Sequence, residues 1–206
     1  MEFAIYRLAD LLPYVKAAKV IVLDPNTLVL GNIGDLYNAT LNPDDWAAMP
    51  DLCSGERPPG FPQIWYQKYM NFSREEILDQ ELPPGACAPA MGVILANLTH
   101  FRLNRVRRQL WQWTLINERW PLFLKGVEGV SDTLGPVTVV FHNQTTQLSP
   151  RWYARVNDES MPAAGESRPM VYHWVGSGSP LEGKSDVAKL WRHYFVPDPW
   201  GEHKLQ

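Results

Sequence analysis

The 206-residue sequence has very few cysteines, only Cys53 and Cys87. A disulfide-rich scaffold needs several pairs, and a tetrahedral zinc site needs four ligands that are mostly cysteine or histidine. Neither cysteine has a candidate base beside it in sequence, so a cysteine nucleophile is not indicated. From the residues alone, the two thiols can form one disulfide or none.

The sequence also lacks an excess of positive charge, since 19 Lys and Arg are set against 22 Asp and Glu, a formal net charge of -3. This balance excludes the strongly basic surface that nucleic-acid binding requires, and favours a small-molecule or glycan ligand. No apolar run approaches the roughly 20 residues that a membrane helix needs. A Gly-x-Ser-x-Gly nucleophile elbow is missing too, which argues against an α/β hydrolase.

Glycosylation sequons, by contrast, are abundant. Chance would give about one or two in a chain of this length, whereas four occur, at Asn38, Asn71, Asn97 and Asn143. We therefore expect a protein of the secretory lumen, cut away from its targeting sequence because the amphipathic pattern at residues 3–12 leaves no room for a leader. An accidental excess of sequons on a cytosolic protein is the alternative.

Hydrophobic patterning predicts a mixed α/β domain with strands and helices in alternation. The β-branched run at residues 19–24 is typical of a strand buried on both faces of a parallel sheet, and it ends in Asp24, where ligands bind in open α/β sheets. Further elements are expected as follows: strands at residues 92–96, 137–142 and 170–174, helices at residues 3–12, 99–117 and 186–194.

Two of these segments carry more specific predictions. Thr99 is expected to cap the helix at residues 99–117, whose buried face would contain Leu103, Val106, Leu110 and Trp113. Residues 42–86 form a Pro-, Gly- and Trp-rich insertion with a weak helical patch at residues 73–82. Long insertions of this kind usually carry lids or acceptor contacts.

Several blocks, in the right order, resemble glycosyltransferase family 8. The stretch at residues 19–38 is similar to the family's hydrophobic strand with an Asp-x-Asp motif, followed by its "GDixeL" segment. Residues 87–101 resemble the "FNxGVxlxNlxxW" block, residues 139–152 the "vfhg…lpprW" block, and residues 172–176 the "HwxG" motif. The tail at residues 190–199 is similar to the subgroup called glycosyltransferase 8 domain-containing proteins, Golgi proteins with an N-terminal membrane anchor.

The resemblance implies one family 8 domain over residues 1–206, with a GT-A-type fold whose mixed sheet is flanked by helices. It also implies that about a hundred N-terminal residues, which hold the uracil and ribose, are missing. The expected activity is retaining transfer of a hexose from a UDP-sugar to a glycan or protein acceptor in the Golgi lumen. A divalent ion, usually Mn²⁺, would neutralise the leaving diphosphate.

By the same resemblance, Asp24, Asn26 and His173 occupy the positions of the family's metal ligands. Asn26 replaces the second carboxylate, and an amide oxygen is a weaker ligand because it brings no charge. The alternative is that Asp24 and Asn26 belong to an ordinary turn and that His173 is a hydrogen-bonded strand residue.

Other motif positions depart further from the family. In the "FNxG" block, whose asparagine is expected to touch the donor sugar, only Gly92 is kept, because Pro89, Ala90 and Met91 precede it. The resemblance leaves Gly92, Gly176 and Lys184 as the expected substrate-binding residues. The lysine after "HwxG", which would meet the diphosphate, is replaced, although Gly176 is retained and Lys184 could reach the same charge. The acidic "DQD" block is reduced to Glu128 and Asp132.

These departures leave two functions open: an active metal-dependent hexosyltransferase, or a catalytically degenerate fold that binds a glycan or a partner protein. His142 and His193 are expected to be structural, and no catalytic residue is assigned. We also predict a disulfide between Cys53 and Cys87 that tethers the insertion to the sheet.

Overall fold

The computed structural model describes residues 2–53, 61–103, 105–157, 159, 168–175, 179–182 and 184–195. Within these residues the strands and α-helices are, in chain order, α1 (Leu8–Leu11), β1 (Lys19–Leu23), β2 (Thr27–Val29), α2 (Ile33–Tyr37), β3 (Ala47–Met49), α3 (Glu75–Leu78), β4 (Val93–Asn97), α4 (Leu98–Leu103), α5 (Val106–Arg119), α6 (Leu134–Phe141), β5 (Thr145–Gln147), β6 (Ala154–Val156), β7 (Val171–Trp174) and α7 (Asp186–Tyr194). Short 3₁₀ helices lie at Glu2–Arg7, Tyr66–Lys68 and Pro150–Trp152. None of the described helices has the length and apolarity that crossing a membrane requires.

The strands form two mixed sheets. In the larger one the order is β1-β4-β3-β5, with β4 antiparallel to both of its neighbours and β3 parallel to β5. In the smaller one the order is β2-β7-β6, with β7 antiparallel to β2 and parallel to β6. The expectation of a mixed sheet flanked by helices is confirmed.

The prediction for β1 was wrong in two respects. β1 pairs antiparallel with β4 over its whole length, from Lys19 opposite Asn97 to Leu23 opposite Val93. Its residues are half-buried, whereas Val93 to Ala96 of the neighbouring β4 are buried. A β-branched run indicates a strand, but it does not say which strand will pair with it or whether it lies at an edge.

The run at residues 137–142, expected as a strand, is instead the greater part of helix α6. Every residue of α6 is buried, so the sequence shows no polar face and hence no helical period. Thr138 is compatible with the helix because its hydroxyl donates to the carbonyl of Leu134 one turn earlier, at 2.8 Å. The hydroxyl of Tyr69 lies 2.7 Å from the same Thr138 oxygen and links α6 to the insertion.

The predicted helix at residues 99–117 is divided into α4 and α5, and Thr99 is not its cap. Asn97 at the end of β4 accepts hydrogen bonds from the backbone N–H groups of Thr99 and His100, so the cap lies two residues earlier. Arg105 adopts a left-handed conformation (φ 52°) between the two helices. Leu103, expected on the buried face, is 72% exposed, because the break turns it away from the core.

The described part of the insertion contributes to the core rather than forming a lid. Ile64, Tyr69 and Ile77 are fully buried in the same cluster as Leu95 of β4. The weak helical patch becomes the single turn α3, and β3 is an additional strand that the composition did not indicate. Other predictions are confirmed: helical turns near the N-terminus, β4, β7 and the helix at residues 186–194.

Candidate active site

Asp24 lies at the point where the chain crosses from the larger sheet to the smaller one. It follows the last residue of β1, and its backbone N–H donates to the carbonyl of Gly92 at 3.0 Å. The carbonyl of Asp24 then accepts from the backbone and the hydroxyl of Thr27, at 3.0 and 2.6 Å. These bonds close a tight turn, so the Asp24 side chain is held at the junction of the two sheets.

His173 faces Asp24 from the central strand of the smaller sheet. In the β2–β7 register it lies opposite Thr27, immediately after the Asp24 turn. His173 Nε2 is 3.5 Å from Asp24 Oδ1, and the two side chains are 17% and 23% exposed. The two side chains are thus close enough to contact one ligand, and they remain open to solvent on one side.

The other ring nitrogen of His173 contacts Tyr153, which follows the 3₁₀ turn at Pro150–Trp152. The Tyr153 hydroxyl lies 2.9 Å from His173 Nδ1, and which atom donates depends on the tautomer of the imidazole. Tyr153 is buried, with 8% of its surface exposed. Burial raises the pKa of the Tyr153 phenol, so it stays neutral at physiological pH.

The His173 imidazole is also the main influence on Asp24. Its contact lowers the pKa of the Asp24 carboxyl below the ordinary value, against the opposing effect of partial burial. The backbone N–H of Asn26 donates to Asp24 Oδ1 at 2.9 Å and lowers the pKa further. Asp24 is therefore a carboxylate at neutral pH and contributes a full negative charge to the site.

A cleft with a cavity volume of about 170 Å³ opens beside these residues. Gly92, Tyr153, Arg155 and Glu128 line it together with Asp24 and His173. Several apolar side chains form the remaining walls, among them Leu52, Phe61, Met91, Ile94 and Leu134.

Arg155 brings a buried positive charge to this cleft. It is 7% exposed and lies beside His173 in the parallel β6–β7 register. Its Nη2 donates to the carbonyl of Pro62 at 2.6 Å, and its guanidinium lies 5.1 Å from the centre of the Phe61 ring. The cation is thus fixed by its surroundings rather than left to move in solvent.

Comparison with known sequences shows which family the chain belongs to. Residues 1–180 match the profile of Glycosyl transferase family 8. The chain belongs to this family. It is 32% identical over 213 aligned residues to Glycosyltransferase 8 domain-containing protein 1 of Xenopus tropicalis, covering 98% of the chain and 56% of that relative. It is 30% identical over 201 residues to Glycosyltransferase 8 domain-containing protein 2 of Homo sapiens, covering 91% of the chain and 56% of that relative.

The family 8 chain therefore spans about half the length of the curated relatives it matches. Among solved structures it is similar to the glycosyltransferase GlyE of Streptococcus pneumoniae, with a TM-score of 0.61 and 18% identity, covering 96% of this chain and 44% of GlyE. The galactosyltransferase LgtC, in complex with donor and acceptor sugar analogs, gives a TM-score of 0.60 at 16% identity, covering 96% and 69%. These neighbours establish the GT-A fold.

Of the residues that the resemblance to family 8 selects, the structure brings together Asp24, His173 and Gly92. Asn26 is exposed, does not line the cleft, and contacts Asp24 through its backbone N–H. Lys184 is exposed and does not line the cleft either. Gly176 lies outside the described residues.

Of the remaining acidic and histidine candidates, one lines the cleft and the others lie elsewhere. Glu128 lines the cleft, whereas Asp132 lines a separate pocket. His142 lies in a third cavity, against the edge of the Tyr66 ring, and burial lowers its pKa. His193 packs its ring against Tyr194 at the end of α7.

Tyr153 and Arg155 are among the cleft residues that the sequence did not indicate. Tyr153 is extended (φ -157°, ψ 127°) and leads into β6, so side chains two positions apart lie on the same face. Tyr153 and Arg155 stand in that i, i+2 relation directly after the "lpprW" block. The alternation could have indicated a shared face, but only the tertiary structure shows that this face meets His173.

Cys53 and Cys87 form the predicted disulfide, with their Cα atoms 5.8 Å apart. It ties the insertion to the segment before β4, and Leu52 beside it lines the cleft. The ligand atoms of Asp51, Cys53 and Cys87 lie within 4.8 Å of one another, but two disulfide sulfurs offer no thiolate to a metal ion. We therefore do not assign a metal site there.

The four sequons lie in two kinds of surroundings. Asn38 and Asn143 are exposed. Asn71 and Asn97 are half-buried, and the side-chain oxygen of each accepts backbone hydrogen bonds from neighbouring residues. Glycosylation and a place in the secretory pathway remain predictions.

Proposed function

We propose that this family 8 chain carries the diphosphate-binding side of a hexosyltransferase active site. The complete enzyme would transfer a hexose from a UDP-sugar to a glycan or protein acceptor with retention at the anomeric centre. The observation that carries the proposal is the contact between Asp24 and His173, which meet at 3.5 Å at the junction of the two sheets and both line the cleft. The family and the fold support the same reaction class.

The Asp24–His173 pair fits a divalent cation such as Mn²⁺. Two ligands bound at about 2.1–2.5 Å and at near right angles lie about 3.0–3.5 Å apart, and the distance here is 3.5 Å. Asp24 supplies the negative charge and His173 a neutral nitrogen, while other positions are open to donor oxygens and water. The ion would neutralise charge on the leaving diphosphate.

Arg155 supplies a second positive charge for the same diphosphate in this proposal. A guanidinium presents several N–H donors in a plane, which suits phosphate oxygens. The hydrogen bond to Pro62 and the packing on Phe61 hold this group in place, so little reorganisation is needed when the donor binds. The apolar walls of the cleft reduce the access of water and strengthen these electrostatic interactions.

The decisive experiment measures the melting temperature of the purified protein with Mn²⁺ and pyrophosphate, and in parallel with Mn²⁺ and UDP-glucose or UDP-galactose. A ligand that binds the folded state at about 100 times its Kd stabilises it by about 2.7 kcal/mol. We expect this stabilisation in the natural sequence and in the control Asp44→Asn, an exposed acid outside the cleft, and we expect its loss in Asp24→Asn. If Mn²⁺ with pyrophosphate, the part of the donor that this chain is proposed to bind, leaves the melting temperature of the natural protein unchanged, the proposal fails.

A catalytically degenerate binding module is the second candidate. It is favoured by the mainly apolar walls of the cleft and by the position of Asn26 outside it. Such a module would be stabilised by an oligosaccharide or a partner protein but by no sugar nucleotide. The same melting-temperature assay, run with an oligosaccharide library in parallel, separates the two functions.

A further inference from the structure

Gly92 supports both members of the Asp24–His173 pair at once. Its carbonyl accepts the backbone N–H of Asp24 at 3.0 Å, which fixes the start of the turn between the sheets. Gly92 also lies directly against the His173 ring. A single backbone position therefore determines how the carboxylate approaches the imidazole.

The absence of a side chain at position 92 is what makes this arrangement possible. A Cβ placed there would lie 2.6 Å from His173 Nδ1 and 2.8 Å from Tyr153 Cε2. Both distances are shorter than carbon and nitrogen atoms tolerate, and both rings are large groups held in packed surroundings. Any other residue would push His173 or Tyr153 away from its place.

Tyr153 contacts the imidazole at Nδ1, the same ring nitrogen that Gly92 faces. Its hydroxyl lies 2.9 Å from His173 Nδ1, and the two ring centres are 5.7 Å apart at an angle of 51°. When the hydroxyl pairs with Nδ1, the remaining nitrogen, Nε2, is the one directed at Asp24. Histidines that bind metals usually have such a partner on the second nitrogen, which sets ring orientation and tautomer.

A tyrosine at this position has a property that a carboxylate partner would lack. A neutral phenol can either donate to Nδ1 or accept from it, whereas a carboxylate can only accept. Tyr153 can therefore keep the ring in place both when Nε2 carries a proton that faces Asp24 and when Nε2 offers its lone pair. It also adds no negative charge beside the site where a diphosphate would bind.

We propose that Gly92 and Tyr153 are positioning residues that hold the His173 imidazole with Nε2 directed at Asp24. The resemblance to family 8 suggested Gly92 as a substrate contact. This assignment gives it a different role, that of positioning His173. The inference rests on the proposed function only in taking Nε2 to be a metal ligand. The orientation of the ring can be tested without any metal.

The first test replaces Tyr153 by phenylalanine, which keeps the ring and removes only the hydroxyl. The ¹⁵N NMR signals of the His173 imidazole should show a single dominant tautomer in the natural protein. In Tyr153→Phe the Nδ1 signal should move, because that nitrogen loses its hydrogen-bonding partner. Tyr66→Phe is the matched control, because Tyr66 is also 8% exposed and lies in a different cavity, and it should leave the His173 signals unchanged.

The second test measures Mn²⁺ affinity by electron paramagnetic resonance on the same proteins. Loss of a hydrogen-bonding partner behind a metal ligand weakens binding by about 10- to 100-fold, so Tyr153→Phe should lie in this range and Tyr66→Phe near the natural value. Gly92→Ala should weaken binding at least as much, because the added methyl group displaces the ring.

The outcomes separate this inference from the proposed function. Unchanged His173 signals in folded Tyr153→Phe overturn the inference, whatever the metal affinity. If the natural protein does not bind Mn²⁺, the proposed metal site fails, and the imidazole spectrum alone decides whether Tyr153 positions His173. A perturbed spectrum with Mn²⁺ binding weakened in Tyr153→Phe but not in Tyr66→Phe supports both.

Discussion

Asp24 begins the turn that connects the two sheets, and His173 lies in the central strand of the second one. The last strand residue before the turn pairs with Val93 of β4, and the first residue after it pairs with His173 of β7. The Asp24–His173 contact is therefore built into the crossing of the backbone. A mutation that disturbs the turn will affect both the site and the packing of the two sheets.

The contribution of Asp24 to stability should depend on pH. Because its pKa is lowered in the folded state, mainly by His173, the stabilisation is fully present above the ordinary pKa of 3.8. It is lost as the pH falls through the lowered folded-state pKa. We expect Asp24→Asn to lower the free energy of unfolding by about 1 kcal/mol or less at neutral pH, since the pair is partly exposed.

Urea denaturation of the natural protein and Asp24→Asn from pH 3 to pH 7 measures this dependence. The difference between them should be constant near neutrality and should shrink below about pH 4, where the carboxyl becomes protonated. Asp44→Asn is the control for the loss of one exposed negative charge. Parallel curves for the natural protein and Asp24→Asn over the whole range would contradict the assignment.

Local sequence patterns were sufficient to predict some of the helices and strands. Helix α7 has a serine cap and an amphipathic period, and β7 has a short β-branched and aromatic run, so both were predicted. The strands that carry Asp24 and His173 were also predicted from residue type. Their meeting was expected only from the resemblance to family 8, because no local pattern states which strands become neighbours.

What the sequence could not reveal was decided by tertiary packing. Helix α6 is buried on all sides, so its apolar residues carry no period and were taken for a strand. The partners of β1 and the contribution of the insertion to the core depend on contacts distant in sequence. Tyr153 and Arg155 had no motif of their own, and only their position against His173 makes them candidates.

The corrected start of α4 yields a direct comparison of two neighbouring residues. Asn97 accepts hydrogen bonds from the first turn of the helix, whereas the exposed Thr99 lies within that turn. Asn97→Ala should lower the free energy of unfolding by about 1 kcal/mol through loss of the cap. Thr99→Ala should change it by less than about 0.5 kcal/mol. Thermal denaturation of both variants measures the difference, and an equal or larger cost for Thr99→Ala would restore the original assignment of the cap.

Close packing of α6 against the segment before it can be tested at Gly135. A Cβ at this position would lie 2.3 Å from Cγ of the buried Phe123, so the ring or the helix must move. Gly135→Ala should destabilise the protein by about 1–3 kcal/mol, the usual cost of overpacking.

Gly85→Ala is the matched control for Gly135→Ala. Position 85 has no neighbouring atom within 4 Å of an added Cβ and is exposed. Reduced freedom of the unfolded chain should make this change neutral or slightly stabilising. Equal effects at the two glycines, measured by urea denaturation, would show that α6 has room at Phe123.

Arg155 provides the test of whether the cleft binds phosphate groups. If its guanidinium contacts a diphosphate through charge-assisted hydrogen bonds, Arg155→Met should weaken pyrophosphate binding in the presence of Mn²⁺ by about 10- to 100-fold. Arg155→Lys should show a smaller loss, because lysine keeps the charge but lacks the planar set of donors. Arg108→Met, an exposed position on α5, is the control for the loss of one positive charge.

Isothermal titration calorimetry with pyrophosphate, and separately with Mn²⁺ alone, distinguishes this role from a structural one. Arg155 also packs on Phe61 and bonds to Pro62, so its loss could loosen the cleft as a whole. A loosened cleft would weaken Mn²⁺ and pyrophosphate binding together. A direct contact with the diphosphate would leave the affinity for Mn²⁺ alone within about twofold of the natural value, because the guanidinium would bind the phosphate groups and not the ion. Equal losses for the two ligands would therefore rule out Arg155 as the phosphate-binding residue.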